Sequence, residues 1–99
     1  VLIAKLPWHK RAICLKVYVP VLAAFSTDGT LMPRKLRYED GTLYTIERVL
    51  DIRPSPALKA GGQGDRYTIQ VQGKESYLFF EHNTDTSSAK LGRWFVERK

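Results

Sequence analysis

Two consecutive segments near the centre of the chain constrain the fold more than any other part of the sequence. In the first, residues 66–72, the sequence RYTIQVQ alternates between apolar and polar side chains. A glycine corner at Gly73-Lys74 leads into the second, residues 76–80, with the sequence SYLFF. Period-two alternation is typical of a β-strand that buries one face and exposes the other. The two segments therefore predict neighbouring antiparallel strands joined by a tight turn.

The rest of residues 17–99 shows the same pattern of short strands and turns. Further candidate strands cover residues 17–25, 31–38, 43–53 and 93–98. The Asp40-Gly41 pair is a strong hairpin signal, because glycine tolerates the positive φ angles that tight hairpin turns require. No segment indicates a helix of convincing length. The sequence thus predicts an all-β domain, a small SH3-like or OB-like barrel of five to six antiparallel strands.

The third candidate strand, residues 43–53, is expected to be irregular. Its apolar side chains change parity, with Ile46 on one face and Val49 on the other, so we expect a bulge or strong bend near Glu47-Arg48. The sequence Pro54-Ser55-Pro56 predicts the end of this strand, because proline cannot donate a hydrogen bond to a neighbouring strand. Residues 57–65 are then expected to form the long irregular loop of the domain.

The positive charge of the chain is concentrated at its N-terminus. The formal net charge is +6, and residues 1–16 carry four of the sixteen basic side chains and none of the ten acidic ones. Residues 17–99 therefore carry twelve basic and ten acidic side chains, an excess of only two. We interpret residues 1–16 as a basic arm and residues 17–99 as a single domain. Alternatively, native translation starts at Leu15, and residues 1–14 are a start-site artefact.

Four blocks of the domain occur in a specific order. They are VYVPVLAAFSTDG, YEDGTLYTIERVLDIRP, KAGGQGDRYTIQVQGKESYLFFE and RWFVER. With these blocks, residues 17–99 resemble a family of small cytoplasmic proteins of Gram-positive bacteria that has no established activity. The resemblance covers nearly the whole domain and leaves residues 1–14 outside it. It implies a compact, mainly β, barrel-like fold and assigns no functional residues.

Side chains suited to catalysis or metal binding are sparse. The chain has two histidines, His9 and His82, and a single cysteine, Cys14. Neither the serines nor the scattered carboxylates lie in a known nucleophile or metal-binding motif. The sequence therefore predicts a protein that is not an enzyme and that holds no metal or cofactor. The lone thiol and the lack of an apolar run of ~18–20 residues predict a cytoplasmic protein with no membrane partner.

A glycine-rich segment and several basic residues suggest an anion site. Glycine amides can approach a phosphate closely, but here a strand follows the glycines instead of the helix that completes known phosphate motifs. The favoured interpretation of the glycines is therefore a flexible connection. If nearby basic side chains converge on it, the surface would bind nucleic acid. The candidate residues are Lys35, Arg37, Arg53, Lys59, Gly61, Gly62, Gly64 and Arg66.

The sequence Tyr77-Leu78-Phe79-Phe80 carries more apolar surface than one face of a strand can bury. We expect Tyr77 and Phe79 to fill the core, together with Trp94 and Val96 of the last strand. The excess residues Leu78, Phe80 and Phe95 are then predicted to dock a protein partner or a second copy of the chain. The leading functional prediction is a non-catalytic binding module that uses an aromatic surface for protein–protein contact or self-association. The alternative is nucleic-acid binding.

Overall fold

The computed structural model describes residues 15–57, 62–83 and 89–98, which form strands and turns. The strands in these ranges are β1 (Leu15–Tyr18), β2 (Val21–Phe25), β3 (Leu31–Arg37), β4 (Leu43–Thr45), β5 (Arg48–Ala57), β6 (Gly62–Val71), β7 (Lys74–His82) and β8 (Gly92–Arg98). The predicted all-β class is confirmed. No helix in the described ranges is long and apolar enough to cross a membrane. The proposed arm residues 1–14 lie outside the described residues, whereas Leu15 and Lys16 belong to β1.

The strands form two antiparallel sheets that share one core. The larger sheet has the order β1-β8-β7-β6-β5, and the smaller has the order β2-β3-β4. Their inner faces contribute to a single apolar cluster, in which Leu36 of the small sheet and Ile69 and Leu78 of the large sheet are almost fully buried. The Tyr67 hydroxyl donates a hydrogen bond of 2.6 Å to the Leu31 carbonyl and so links the two sheets. Burial raises the pKa of Tyr67.

The chain passes from one sheet to the other at two short corners. At the first, the Val19 amide donates to the Trp94 carbonyl of the large sheet, and the Pro20 carbonyl accepts from the Arg37 amide of the small sheet. β1 and β2 are therefore separated only by these two residues. Proline has no N–H group to donate, but Pro20 costs no strand hydrogen bond here, since the chain passes from one sheet to the other at this residue.

The second corner is the predicted bend of the third candidate strand. The Ile46 amide donates to the Arg34 carbonyl in the small sheet, and the Glu47 amide donates to the Gln70 carbonyl in the large sheet. The bend near Glu47-Arg48 is thus confirmed, and it separates β4 from β5. Val49 pairs with the buried Ile69 and packs against the core, and the register shift that follows it places Ile52 opposite the buried Tyr67.

The predicted end of this strand at Pro54-Ser55-Pro56 is wrong. β5 continues through both prolines to Ala57, and β6 begins at Gly62, so most of the expected loop is part of a long hairpin. β5 is an edge strand of its sheet. An edge strand tolerates a proline whose nitrogen faces away from the neighbouring strand.

The direction of the β7 side chains is set by its hairpin with β6. Gln72 and Gly73 both have positive φ angles, as the two central residues of a type I′ turn require, and this turn pairs Val71 with Lys74. The register then places Leu78 opposite the buried Tyr67. Because cross-strand partners share a face, Leu78 points into the core. The expectation that Tyr77 and Phe79 fill the core is therefore wrong.

One glycine of the predicted flexible loop has a packing role in β6. Gly64 is buried, and a Cβ atom at this position would lie 2.6 Å from the Phe80 carbonyl oxygen. Real Cβ atoms do not approach a backbone oxygen so closely. Only glycine therefore allows β6 and β7 to pack as they do at this point.

We expect Gly64→Ala to lower the free energy of unfolding by about 1–3 kcal/mol, because the backbone must shift to admit the methyl group. Urea denaturation monitored by tryptophan fluorescence measures the change. The matched control is Ala24→Ser, an equally small change at an exposed strand position, expected to alter stability by less than about 0.5 kcal/mol. Equal midpoints for Gly64→Ala and the wild type would contradict the close approach of the two strands.

Candidate functional site

The outer face of the large sheet carries a row of aromatic rings. Phe79 and Phe95 are cross-strand partners whose rings stack, with centroids 4.9 Å apart and planes at 6°. Tyr18 meets Phe95 edge-on at 5.7 Å, and Tyr77 meets Phe79 edge-on at 6.2 Å. These separations lie in the favourable range for aromatic pairs. We call the surface formed by Tyr18, Tyr77, Phe79 and Phe95 the aromatic face.

The rings lie on this face because the opposite face is already filled. Trp94 and Val96 of β8 and Leu78 and Phe80 of β7 occupy the core. The intervening residues of each strand must then point outward. An antiparallel sheet normally carries polar side chains on its solvated face, so large apolar residues on both faces of two adjacent strands are unusual.

Cationic side chains cover three of the four rings. The Lys16 ammonium lies 4.7 Å from the centroid of Phe95, and the guanidinium carbon of Arg93 lies 4.1 Å from that of Tyr18. The Arg66 guanidinium lies 4.5 Å from the Tyr77 centroid. Each contact of this kind contributes about 0.5–1 kcal/mol at a partly exposed site. The rings and cations therefore form one layer that hides Phe95, which is only 2% exposed.

Glu81 fixes the cations at one end of the aromatic face. Its carboxylate accepts hydrogen bonds from the Lys16 ammonium at 3.1 Å, the Arg93 guanidinium at 2.9 Å and the Tyr18 hydroxyl at 3.1 Å. Burial alone raises the pKa of Glu81, but the hydrogen bonds from Lys16, Arg93 and Tyr18 outweigh it, so the pKa is lowered. The carboxylate is thus ionised at neutral pH and holds three groups in place.

Two further carboxylates of this sheet, Asp51 and Glu97, lie beside basic side chains. Asp51 accepts a hydrogen bond of 2.6 Å from the Arg53 Nε, which lowers the pKa of Asp51. Glu97 lies opposite Lys16 in the pairing of β1 with β8. Burial raises the pKa of Glu97, and Lys16 only partly offsets this effect. The sheet therefore presents mixed rather than uniformly positive charge.

A cleft of about 420 Å³ adjoins the Glu81 end of the aromatic face. It is lined by Glu81, His82, Asn83, Lys90, Gly92 and Arg93. Several polar groups of this lining are engaged with protein partners: Glu81 binds Lys16 and Arg93, and His82 Nε2 lies 2.8 Å from the Asp65 carboxylate. His82 thus has the role of a paired polar residue at a strand end.

The residues predicted to dock a partner have no free surface. Leu78 and Phe80 are 0% and 8% exposed because they point into the core, and Phe95 is buried beneath Tyr18, Phe79 and Lys16. The prediction that these residues form an exposed surface is therefore wrong. The excess of aromatic residues was predicted correctly from the sequence. On β7, however, the residues expected to point outward point into the core, and those expected in the core point outward.

The basic residues predicted to form one anion-binding surface are divided between the two sheets. Arg53 and Arg66 are cross-strand partners in the large sheet. Lys35 and Arg37 flank the buried Leu36 on β3 and point away from the shared core. The four cations therefore do not converge, and the expectation of a single surface is wrong.

The predicted glycine loop is largely a strand. Gly62 pairs with Ala57, and Gly64 pairs with Ser55 and with Glu81, so both glycines belong to the sheet. Their backbones are arranged for strand pairing and not as a cradle of converging amides. The other two members of this prediction, Lys59 and Gly61, lie outside the described residues.

Sequence reasoning missed Lys16, Tyr18, Glu81 and Arg93 as members of the site. The sequence pattern places Lys16 in the basic arm and Tyr18 in the candidate strand of residues 17–25. Glu81 and Arg93 follow and precede a loop and become neighbours only through the pairing of β7 with β8. The register set by the Gln72-Gly73 turn is the one signal that would have placed Tyr77 and Phe79 on the outer face.

Comparisons with known proteins found no relative of this chain: no family model, no curated protein and no solved structure matches it. The resemblance of residues 17–99 to a bacterial family stays a prediction. Function is therefore inferred below from the residues and their geometry.

Glu81 and Glu97 are expected to respond to pH with opposite signs. Because the folded-state pKa of Glu81 is lowered, its ionised form stabilises the protein at neutral pH, and this stabilisation is lost as the pH falls below about 4.5. Glu81→Gln should thus lower the free energy of unfolding at pH 7 by about 1 kcal/mol and have a diminishing effect at acidic pH. Urea denaturation at several pH values measures this.

Glu97→Gln, on the same face, is the matched control. Its raised folded-state pKa means that ionisation of Glu97 opposes folding above that pKa. The variant should be more stable than the wild type at pH 7, and the difference should disappear as the pH falls towards and below 4.5. A loss of stability in both variants at pH 7 would show that Glu81 is not the favourable carboxylate of the pair.

Proposed function

We propose that the chain is a non-catalytic binding module whose aromatic face docks against a protein surface, in the first instance a second copy of the chain. The observation that carries this proposal is the layer of four rings and three cations on the outer face of the large sheet. Core packing does not require this layer, since the core lies on the other face.

The composition of the aromatic face matches that of protein interfaces. Tyrosine and arginine are enriched among residues that dominate binding energy, where they contact a partner through large and rigid side chains. Tyr18 is 42% exposed, and the Arg93 side chain lies beside it at the surface. Glu81 holds both, so little conformational entropy is lost when a partner contacts them.

The mixed charge of the large sheet favours a second copy as the partner. In an isologous interface the same surface occurs on both sides, so a surface of one sign would repel itself. Here Lys16 and Arg93 are paired with Glu81, and Arg53 is paired with Asp51. Two aromatic faces can therefore approach each other without strong repulsion.

The size of the sheet is suitable for such an interface. Five strands at ~4.8 Å spacing span ~19 Å, and interfaces of standard size bury ~800 Å² on each partner. The rings lie on β1, β8 and β7, and Arg66 extends the surface onto β6. A partner that covers these strands would bury the exposed part of Tyr18 and the guanidinium of Arg93.

We also propose that the two sheets are the halves of a small SH3-like or OB-like barrel. Continuous strands that bend from one sheet into the other support this, since barrel corners are built in this way. At Val19-Pro20 and at Ile46-Glu47, consecutive residues bond to different sheets. If β1–β2 and β4–β5 are each counted as one bent strand, six strands follow one another around the core.

Self-association tests the role of the aromatic face. We expect sedimentation equilibrium to show a reversible dimer within a concentration series that extends to about 1 mM. Tyr18→Ala should weaken the dimer by about tenfold or more, because it removes a partly exposed ring that contacts Arg93 and Glu81. The dimer should respond only weakly to salt, since Lys16 and Arg93 are already paired with Glu81.

The matched control is Leu22→Ala on the small sheet, where the side chain is 65% exposed. It removes a comparable apolar surface outside the aromatic face and should leave the dimer unchanged. Thermal melting at low protein concentration shows whether each variant folds. A wild-type chain that stays monomeric throughout, or equal effects of the two variants, would refute self-association through this face.

A further inference from the structure

The outer face of the small sheet differs in chemistry from the aromatic face. Lys35 and Arg37 point outward from the central strand β3, and Arg34 is exposed beside them at the bulge opposite Leu22 and Ala23. Leu22 on β2 pairs with Lys35, and Leu43 on β4 pairs with Arg37. We call these five residues the cationic face: Arg34, Lys35, Arg37, Leu22 and Leu43.

Among the described residues, no carboxylate neutralises the cations of the cationic face. Within the described ranges, Arg34, Lys35 and Arg37 make no ion pair, and the strands of the small sheet contain no acidic residue. The carboxylates in the turns beside β3 are engaged elsewhere: Glu39 binds Arg98, Asp40 accepts from the Thr42 amide, and Asp28 accepts from the Thr30 amide. The face thus presents three exposed positive charges without a carboxylate.

We infer that the cationic face binds the backbone of single-stranded nucleic acid. Lys35 and Arg37 lie two residues apart on one strand, a spacing of ~7 Å, and Arg34 precedes them. The charges therefore follow a line along β3, as a linear chain of phosphates requires. This proposal is independent of self-association, because it uses the other sheet and different residues.

The leucines that flank the cations favour a single strand over a duplex. Leu22 and Leu43 are 65% and 59% exposed, one on each side of the cation row. A duplex keeps the apolar faces of its bases stacked inside and presents mainly phosphates and sugars. A single strand exposes base faces on either side of its backbone, and these can cover both leucines. Binding of this kind depends little on base sequence.

The probe is a fluorescein-labelled oligothymidine of about 15 nucleotides, titrated with the full chain and followed by fluorescence anisotropy. We expect a dissociation constant of roughly 1–100 μM between about 50 and 200 mM salt. Three phosphate contacts on a single strand predict a slope of about −2 for log K against log salt. Lys35→Ala should reduce the magnitude of this slope by about 0.7.

Two double variants with the same change in net charge locate the binding surface. Lys35→Glu combined with Arg37→Glu should weaken binding by about tenfold or more, since two contacts are lost and two repulsive charges are added. Arg48→Glu combined with Arg53→Glu places the same charges on exposed positions of β5 in the large sheet. This control should change the affinity by less than about threefold. Thermal melting confirms that each variant is folded.

The leucines are tested separately from the cations. Leu22→Ser combined with Leu43→Ser should weaken binding of the oligothymidine several-fold and leave the salt slope unchanged, because no phosphate contact is removed. A duplex of the same length should bind less tightly than the single strand. These two results together support contact between the leucines and the bases.

Several outcomes would overturn the proposal. Equal losses in the β3 and β5 double variants would show a response to net charge alone. A duplex that binds as tightly as the single strand would remove the role of the leucines. Binding to phosphatidylglycerol vesicles or to polyglutamate, with no saturable binding of the oligothymidine, would assign the face to a membrane or to an acidic protein.

Discussion

Large apolar side chains occupy both faces of β7, and most other features of the structure follow from this. Leu78 and Phe80 enter the core, while Tyr77 and Phe79 point outward onto the opposite face. β8 repeats the arrangement, so the stack of Phe79 on Phe95 covers the centre of the large sheet from outside. The two packed sheets have four faces, of which the two outer ones meet water, and a layer of aromatic rings on one of these needs cover. Within the chain, Lys16, Arg66 and Arg93 supply part of that cover.

The sequence was sufficient for the fold class because strand pattern and turn chemistry are local. The alternation over residues 66–72 and the glycine turns predicted antiparallel strands, and the bend near Glu47-Arg48 was visible as a change of parity. The sequence did not indicate that β5 extends through Pro54. A strand tolerates proline only where it lies at the edge of a sheet, and strand order is not a local property. Alternation and turn residues predict where strands form, whereas the position of a strand within the sheet determines where it ends.

The sequence predicted too many aromatic side chains for one face of the strand, but it did not predict which of them point outward. The excess of aromatic residues over residues 77–80 was recognised, but its outward members are Tyr77 and Phe79, because the Gln72-Gly73 turn fixes which residues face Tyr67. A shift of one residue in register exchanges the two faces of a strand. The role of Glu81 could not be predicted in the same way. Its partners come from β1 and β8, and such contacts depend on strand order.

The two outer faces differ in whether their basic side chains are paired with carboxylates. This difference determines which kind of partner each face is suited to bind. On the large sheet, carboxylates lie within hydrogen-bonding distance of Lys16, Arg53 and Arg93, so the surface tolerates a copy of itself. On the small sheet, no described carboxylate pairs with Lys35 or Arg37, so two copies of that surface would repel each other, which agrees with the proposed polyanionic partner. Both faces point away from the shared core. The proposed dimer through the aromatic faces would therefore leave two cationic faces accessible, and a nucleic-acid strand long enough to reach both would bind with a higher apparent affinity than a short one.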